Sequence, residues 1–229
     1  MFVIFTDGSS RGNPGSGGYG AIVASEGSVV ELGGGEPNTT NNRMEIMASI
    51  SALQAIPVGS EAVIYTDSSY LLNGATRWVF AWKKNKWKTS QKEDVLNRDL
   101  WEELLLAMEH KIIDWQLIRG HVGHSGNERC DVIATSFADN KPVVLYKGSR
   151  ERYGVSLLVN QKNLPEVSPR GSKKSAKVYS YISLVDNKIE THKTWLECES
   201  RVKGISGAKY KKAMSAENEE EIIKEFTKK

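Results

Sequence analysis

Two short apolar runs in the first seventy residues each end in a Thr-Asp pair, and this repeat constrains the fold more than any other feature. Residues 2–5 precede Thr6-Asp7, and residues 62–65 precede Thr66-Asp67. An aromatic and β-branched run of this length predicts a strand buried on both faces. Taken alone, Asp7 could be a turn residue, and Asp67 or Ser68 could cap the helix that follows. Two strand-end carboxylates in one domain instead suggest a metal site.

The segments between and after these runs predict a mixed α/β domain. Capping residues precede the apolar periodicity that ends at Pro57, which predicts a helix. The glycine-rich loop at residues 11–20 lacks the lysine and spacing of a phosphate-binding loop, so a nucleotide site of that type is rejected. The remaining expected elements are an antiparallel pair of strands at 19–25 and 28–33, a strand at 111–118 and a last helix after the loop that begins at Arg119. A helix is expected at 95–109, with Leu96, Leu100, Leu104 and Ala107 on one face.

Two more acids and one histidine stand near helix starts. Glu45 is flanked at helical spacing by Ala48 and Ala52, so it projects from a face of small side chains. Asp131 falls in or near the first turn of the last helix, after a loop that contains His121. Acids are favoured near helix N-termini by the helix dipole, and a loop histidine is usually a surface residue. The local pattern therefore leaves a structural and a functional interpretation open for each.

A basic and aromatic segment occupies residues 77–88. It interleaves three tryptophans with one arginine and four lysines. Lysines neutralise phosphates and aromatic rings pack on sugars or bases, so this composition favours a protrusion that binds a nucleic-acid backbone. The alternative is a packed aromatic cluster.

Charge is distributed unevenly along the 229 residues. Residues 1–140 carry 12 Lys and Arg against 17 Asp and Glu, whereas residues 141–229 carry 19 against 11. The basic C-terminal part hints at a polyanionic partner. No apolar run approaches membrane-spanning length and no signal-peptide pattern is present, so we expect a cytoplasmic protein with no membrane partner and two reduced cysteines.

Composition shifts divide the chain into three parts. Residues 1–140 contain the periodic elements described above. Residues 141–176 have no long period and are rich in proline, glycine and serine, which predicts a linker. Residues 177–229 predict a small α+β domain with two strands, a helix over 194–201 and a closing helix over 217–226.

Residues 1–140 resemble type 1 ribonuclease H, with its motifs in family order: FTDGS from residue 5, GNPG from 12, TTNNRME from 39, YTDS from 65, the basic aromatic segment, and GH at 120 through Asp131. The resemblance implies an RNase H-like α/β fold, with a five-stranded mixed sheet flanked by helices. It implies an endoribonuclease that cleaves the RNA strand of RNA/DNA hybrids and leaves 5′-phosphate and 3′-hydroxyl ends.

The resemblance also assigns roles to individual residues. It implies that His121 assists proton transfer or product release. The implied metal ligands and catalytic carboxylates are Asp7, Glu45, Asp67 and Asp131. The implied hybrid contacts are Asn13, Asn41, Asn42, Trp78, Trp82, Lys83, Lys84 and Lys88. Phosphodiester hydrolysis is served by two divalent ions, and a site of carboxylates without cysteine favours Mg²⁺, or Mn²⁺, over zinc. Without metal, such a site should bind protons or cations readily.

The last fifty residues are similar to the hybrid-binding, or viroplasmin-like, domain through Val178-Tyr179, TWLEC from 194 and GAKYKK from 207. In relatives this module usually precedes the nuclease, whereas here it follows. The similarity implies an aromatic patch of Tyr179, Trp195 and Tyr210 for the DNA strand, with Lys211 and Lys212 on phosphates. The alternatives are that Trp195 and Tyr210 form the domain core, or that the domain docks on a protein.

Two rival functions use the same residues. A non-catalytic nucleic-acid-binding protein on a retired nuclease fold would require the loss of a carboxylate, and all four are present. Integrases and junction resolvases share the fold and the carboxylates. The TTNNRME segment and the tryptophan-rich segment favour hybrid cleavage, by an enzyme expected to be a monomer.

Overall fold

The structure is a computed structural model that describes residues 1–118, 123–159 and 179–227, apart from residues 187, 206 and 214 and the side chain of Glu217. Its contacts divide the chain into two compact units, Met1–Glu166 and Val167–Lys229. No helix of the described residues is long and apolar enough to cross a membrane. The four candidate carboxylates lie in the first unit, and the candidate aromatic patch lies in the second.

The first unit is built on a mixed sheet. Its strands are β1 (Phe2–Ser10), β2 (Gly15–Ala24), β3 (Ser28–Thr39), β4 (Glu61–Thr66), β5 (Ile112–Leu117) and β6 (Lys147–Ser149). They are ordered β5-β4-β1-β2-β3-β6. β1 pairs with β4 and β4 with β5 in parallel, whereas the pairs β1–β2, β2–β3 and β3–β6 are antiparallel. The predicted antiparallel opening and mixed sheet are therefore confirmed.

Helices cover both faces of this sheet, as strands buried on both faces require. The helices are α1 (Asn41–Gln54), α2 (Ser69–Asn73), α3 (Val79–Lys84), α4 (Arg98–Met108) and α5 (Ser125–Ala138), with a π-helical turn over Gly74–Trp78. Along β1, Ile4 belongs to the core that includes Leu53 of α1 and Trp101 of α4. Phe5 points to the opposite face, where it packs with Cys130 of α5.

The helix predicted over residues 95–109 begins later than expected. Asn97 has a left-handed conformation with φ of 58°, so a regular helix cannot extend back through it, and α4 begins at Arg98. Leu96 was expected on the buried face, but 79% of its surface is exposed. Leu100 and Leu104 of the same predicted stripe are buried.

The segment predicted as a linker, 141–176, differs from that expectation in its first part. Residues 147–149 form β6 on the outer edge of β3, so the sheet has six strands rather than the expected five. Four apolar side chains of this segment pack on the α5 side of the sheet: Tyr146, Tyr153, Leu157 and Val159. Residues 160–176 lie outside the described part of the chain.

The second unit is a small α+β fold. It contains β7 (Ser180–Val185), β8 (Lys188–His192), α6 (Trp195–Val202), β9 (Lys209–Ala213) and α7 (Ala216–Thr227). The strands form an antiparallel sheet in the order β8-β7-β9. Thr194 and Glu197 form a reciprocal capping box that fixes the start of α6. The core consists of Ile182, Ala213 and Ile222, and the strand β9 was not predicted.

Candidate active site

The two Thr-Asp pairs end at the same edge of the sheet. β1 and β4 are parallel neighbours, and their register pairs Phe5 with Tyr65. Asp7 and Asp67 each follow two residues later in their own segments. β4 ends at Thr66, whereas β1 continues to Ser10, so Asp7 lies within its strand, rather than at the expected strand end, beside the point where β4 ends. Asp7 is 7% exposed, and its Oδ1 accepts a hydrogen bond of 2.7 Å from the backbone N–H of Gly8.

Gly8 brings the first turn of α1 onto this edge. A β-carbon at Gly8 would lie 2.4 Å from the backbone nitrogen of Glu45, so only glycine permits the contact between β1 and α1. Thr40 caps α1 by accepting from the backbone N–H of Arg43. Glu45 is therefore held next to Asp7, and it is 8% exposed.

Gly20 plays the corresponding part for α5. It is the antiparallel partner of Asp7, and a β-carbon there would lie 2.3 Å from the carbonyl oxygen of Cys130. The helix therefore crosses the sheet in direct contact with β2 beside Asp7. This contact brings Asp131, the residue after Cys130, to the same edge.

The electrostatics of Asp7 report the proximity of all four acids. Burial and then repulsion from Asp67 raise the pKa of Asp7 to about 8; Asp131 and Glu45 add smaller upward effects, and the Gly8 hydrogen bond opposes them. Within the described residues, no group of three or more Asp, Glu, His and Cys side chains is arranged so that it could hold a metal ion. The acids thus share an electrostatic field without forming a complete ligand cage, and the raised pKa agrees with the expectation that the metal-free site binds protons.

Glu45 is oriented by two side chains. The hydroxyl of Ser68 donates to its Oε2, and Nδ2 of Asn41 donates to its Oε1 over 2.9 Å. Burial raises the pKa of Glu45 to about 7; the Ser68 hydrogen bond lowers it, Asp67 raises it further and Asn41 lowers it. Ser68 also accepts from the backbone N–H of Leu71 and so caps α2, the plain role that sequence reasoning allowed for this position.

Sequence reasoning missed Asn127 altogether. Its side chain is buried, and its Nδ2 donates to Oδ2 of Asp67 over 3.2 Å. Among the described residues, none donates a hydrogen bond to the buried Oδ1 of Asn127. One signal was available, because Asn127 precedes Asp131 by one helical turn and therefore shares its face of α5.

A family model for RNase H matches residues 1–139. The chain belongs to the ribonuclease H family. The ribonuclease H of Alcanivorax borkumensis is 50% identical over 137 residues, which are 60% of this chain and 91% of the relative. That of Thermosynechococcus vestitus is 49% identical over 146 residues, 62% of this chain and 91% of its own.

Solved structures agree with the ribonuclease H fold. LC9-RNase H1, a type 1 RNase H with the type 2 active-site motif, matches with a TM-score of 0.59 and 28% identity over 72% of this chain and 88% of its own. A foamy viral protease-reverse transcriptase in complex with RNA/DNA hybrid matches with a TM-score of 0.50 and 22% identity over 61% of this chain and 20% of its own. This second likeness concerns the fold alone.

The basic aromatic segment of this ribonuclease H packs its tryptophans together and leaves its lysines exposed. Trp87 is buried in the core, and Trp82 packs on Trp101 with ring centroids 5.8 Å apart. Trp78 is 38% exposed and packs on Trp82 at 5.7 Å. The lysines remain on the surface: Lys83, Lys84 and Lys88, the last in a 2.6 Å ion pair with the exposed Asp94.

The other candidate substrate residues of the ribonuclease H unit lie mainly on its surface. Asn13, in the loop after β1, and Asn42, in the first turn of α1, are both exposed. Asn41 is exposed as well, although its amide contacts Glu45. His121 lies outside the described residues.

In the second unit, aromatic rings form a row on one face of the sheet. The ring of Trp195 packs on Tyr181 at 5.7 Å and on Tyr210 at 5.1 Å. Trp195 is 38% exposed and Tyr210 is 54% exposed, and neither belongs to the apolar core, so the interpretation of these two residues as the domain core is wrong. Tyr179 is also more than half exposed, at 54%.

The two candidate phosphate-binding lysines have different surroundings. Lys212 is the strand partner of Tyr181, so it lies on the face of the aromatic row and is exposed. Lys211 pairs with Ile182 on the opposite face. Its ammonium group forms an ion pair of 2.6 Å with Glu225 of α7.

Proposed function

We propose that this protein is an endoribonuclease that hydrolyses the RNA strand of RNA/DNA hybrids and leaves 5′-phosphate and 3′-hydroxyl ends. The observation that carries the proposal is the shared electrostatic field of Asp7, Glu45, Asp67 and Asp131 at one sheet edge. The chain belongs to the ribonuclease H family, and its relatives with about half of their matched residues identical carry that name.

The donor set fits a pair of hard divalent cations. When bound by the four carboxylates, Mg²⁺ or Mn²⁺ would make the attacking water more acidic and stabilise the leaving oxyanion. Buried carboxylates that repel one another supply hard oxygen ligands and a negative field, which favour these ions over softer ones. The side chains would draw together on binding, because the described residues do not form a closed cage by themselves.

The protein's own groups would fix the ligand oxygens in place. The backbone N–H of Gly8 holds Asp7, and the amide of Asn127 holds Asp67. Ser68 and Asn41 occupy one oxygen of Glu45 each. Such outer-shell partners orient ligands and leave the remaining lone pairs free to bind.

Exposed groups beside the acids would bind the hybrid. Asn42 and Asn13 present amides that can reach the 2′-hydroxyls of an A-form minor groove, which distinguish RNA from DNA. The exposed edge of Trp78 and the ammonium groups of Lys83 and Lys84 suit the sugars and phosphates of the DNA strand. We also propose His121 as the group that assists proton transfer or product release.

The test is a cleavage panel with labelled RNA/DNA hybrid, single-stranded RNA, duplex RNA and duplex DNA in Mg²⁺. We expect cleavage confined to the RNA of the hybrid, and its loss with EDTA and with Asp67→Asn. Asp114→Asn is the matched control, because Asp114 is an exposed acid on β5. Tight hybrid binding without cleavage by the intact protein would support the rival binding-protein function, and cleavage of duplex DNA would favour the resolvase class.

We propose further that the second unit binds RNA/DNA hybrid through the row of Tyr181, Trp195 and Tyr210. Base or sugar stacking on exposed rings is sequence-tolerant, and the ring of Trp195 contacts both of its neighbours. Lys212 lies on the same face and can pair with a phosphate. Because both units belong to one chain, binding by the second would raise the local concentration of hybrid near the first.

Gel-shift titrations of full-length Asp67→Asn protein test this role without cleavage. Adding Trp195→Ala should weaken hybrid binding by roughly tenfold, within the range of about 1–3 kcal/mol for a stacked base. Adding Leu196→Ala is the control, because Leu196 is a 76% exposed apolar side chain next to Trp195. Equal affinities for all three proteins would reject hybrid binding by this face and leave docking on a protein.

A further inference from the structure

The ribonuclease H domain does not end where its family match ends. The match stops at residue 139, yet residues 141–159, here called the extension, continue onto the sheet. β6 of the extension pairs with β3, with Val29 opposite Gly148. The rings of Tyr146 and Tyr153 contact each other at a tilt, with centroids 4.9 Å apart, and pack on the α5 side of the sheet.

A single buried carboxylate, Glu31 of β3, joins the extension to α5. Its side chain is 1% exposed. Its Oε1 accepts from Nε of Arg129 at 2.8 Å and from the hydroxyl of Tyr153 at 2.7 Å. Its Oε2 accepts from Nη2 of Arg129 at 2.8 Å and from the backbone N–H of Tyr146 at 2.9 Å.

Each oxygen of Glu31 thus accepts two hydrogen bonds, and the carboxylate is paired with the guanidinium of Arg129. Burial alone would raise the pKa of Glu31, but the hydrogen bonds from Arg129, Tyr153 and Tyr146 hold it below the ordinary value. The same guanidinium donates to the carbonyl of Val144 at 3.1 Å. Because the planar guanidinium donates to both oxygens of Glu31 and to a carbonyl, the orientation of the Arg129 side chain is fixed as well as its distance from these acceptors.

Through Arg129, Glu31 is attached to α5, the helix that carries one of the proposed metal ligands. Arg129 lies in the first half of α5, two residues before Asp131. The opposite end of α5 is held separately, where Asp139 after the helix pairs with Arg11 after β1. Between these ends, α5 lies directly on Gly20, where the gap leaves no room for a β-carbon. The Gly20 contact fixes the distance of α5 from β2, so a loosened Arg129 would leave the direction of the nearby Asp131 side chain less firmly set.

We propose that Arg129, held by Glu31 and by Tyr153 of the extension, is a positioning residue that fixes Asp131 for the reaction. The inference rests on the proposed function, in which Asp131 is a metal ligand. It makes the extension part of the catalytic domain rather than a linker, because the extension supplies two of the four hydrogen bonds that hold Glu31.

The experiment uses full-length protein with Arg129→Lys or Tyr153→Phe. Lysine keeps the charge of Arg129 but not its fork, and phenylalanine removes one hydrogen bond to Glu31 while keeping the ring. The matched control is Arg150→Lys, because the Arg150 side chain attaches the extension to the carbonyl of Ser25 between β2 and β3, at 2.8 Å, rather than to Glu31. Asp131→Asn provides the reference for loss of the ligand itself.

Two readouts separate positioning from general stability. Mn²⁺ affinity is measured by calorimetry without substrate, below the lowest melting temperature of the set, and kcat and KM are measured at limiting and saturating Mg²⁺. We expect Arg129→Lys to weaken Mn²⁺ binding by about 10-fold, as outer-shell changes do, and Tyr153→Phe to weaken it in the same direction by less. At limiting Mg²⁺, Arg129→Lys and Tyr153→Phe should lose activity mainly through a lower kcat, with an unchanged KM for the hybrid. The Arg150→Lys control should keep the kcat and KM of the natural protein.

The inference and the proposed function fail in different ways. If Asp131→Asn weakens Mn²⁺ binding but Arg129→Lys and Tyr153→Phe bind it as the natural protein does, positioning by Arg129 is refuted and the proposed function stands. If Asp131→Asn binds Mn²⁺ normally, the role of Asp131 is refuted, and this inference with it. An equal loss of Mn²⁺ affinity with Arg150→Lys would refute positioning by Arg129, because any attachment of the extension would then have the same effect.

Discussion

Replacing Asp7 with asparagine is expected to stabilise the metal-free protein at neutral pH. The pKa of Asp7 is raised from 3.8 to about 8 in the folded protein. Between pH 5 and pH 7 the folded state therefore holds a proton that the unfolded state has lost. The stability that this proton provides is complete below pH 4 and is lost as the pH rises through 8. At about 1.4 kcal/mol per pH unit, the loss from pH 5 to pH 7 is about 3 kcal/mol.

Asparagine removes this loss without removing the local contact, because its side-chain oxygen can still accept from the Gly8 N–H. Glu45, with a pKa raised to about 7, adds a loss of the same sign and of similar size in both proteins, because Asp7 is protonated and uncharged over this pH range. The two proteins should therefore be similarly stable near pH 4, and the difference between their free energies of unfolding should grow by about 3 kcal/mol from pH 5 to pH 7.

Urea unfolding followed by circular dichroism in EDTA at pH 5, 6 and 7 measures this difference. Asp114→Asn is the control for neutralising an exposed acid and should follow the natural protein at each pH. Saturating Mg²⁺ should narrow or reverse the difference, because cations relieve the repulsion only where the carboxylate is present. If the natural protein and Asp7→Asn lost stability in parallel from pH 5 to pH 7, Asp7 would not be the group that titrates.

Two further variants separate roles that the structure distinguishes. Ser68→Ala removes the cap of α2 and should lower the free energy of unfolding by about 1 kcal/mol. Loss of the Ser68 hydrogen bond should also raise the pKa of Glu45, so the acid limb of the pH–rate profile should move to higher pH. If that limb did not move, Ser68 would act only as a helix cap. Lys212→Ala in cleavage-defective protein should weaken hybrid binding and reduce its salt slope by about one. Lys211→Ala should have a much smaller effect on hybrid affinity and on the salt slope, because Lys211 pairs with Glu225. Equal effects of the two substitutions would contradict this distinction.

The parts of the fold that depend on local pattern could be predicted from the sequence. The run before Asp7 is apolar at every position, so its burial on both faces needs no knowledge of partners. The capping threonine and the i, i+4 spacing that begins at Ile46 likewise predicted α1, which starts at Asn41. The convergence of the four acids was implied by the family resemblance, because only tertiary contacts at Gly8 and Gly20 bring the helices to that edge.

The parts that depend on distant contacts could not be predicted. β6 is three residues long and polar, and its pairing exists because the outer edge of β3 is available to it. Asn97 sets the start of α4 at Arg98 through a left-handed backbone conformation, which the spacing of apolar residues does not reveal. In the second unit, a basic tetrapeptide from Lys209 conceals the strand β9, whose register is set by Ser180 and Leu184 of β7.

The ionised carboxylates of the candidate active site lower the stability of the metal-free protein, whereas the buried carboxylate on strand β3 does not. Asp7 and Glu45 are buried with raised pKa values, so their ionised forms destabilise the metal-free protein. Glu31 is buried to a similar degree, yet its pKa is lowered because four hydrogen bonds meet its two oxygens. The domain thus holds one carboxylate on β3 whose charge is compensated by its hydrogen bonds, and a second set, Asp7 in β1 and Glu45 in α1, whose charges are not compensated to that degree. A cation that binds the second set stabilises the folded state by the free energy of its binding, so metal affinity and stability rise together, and whatever holds α5 in place contributes to both.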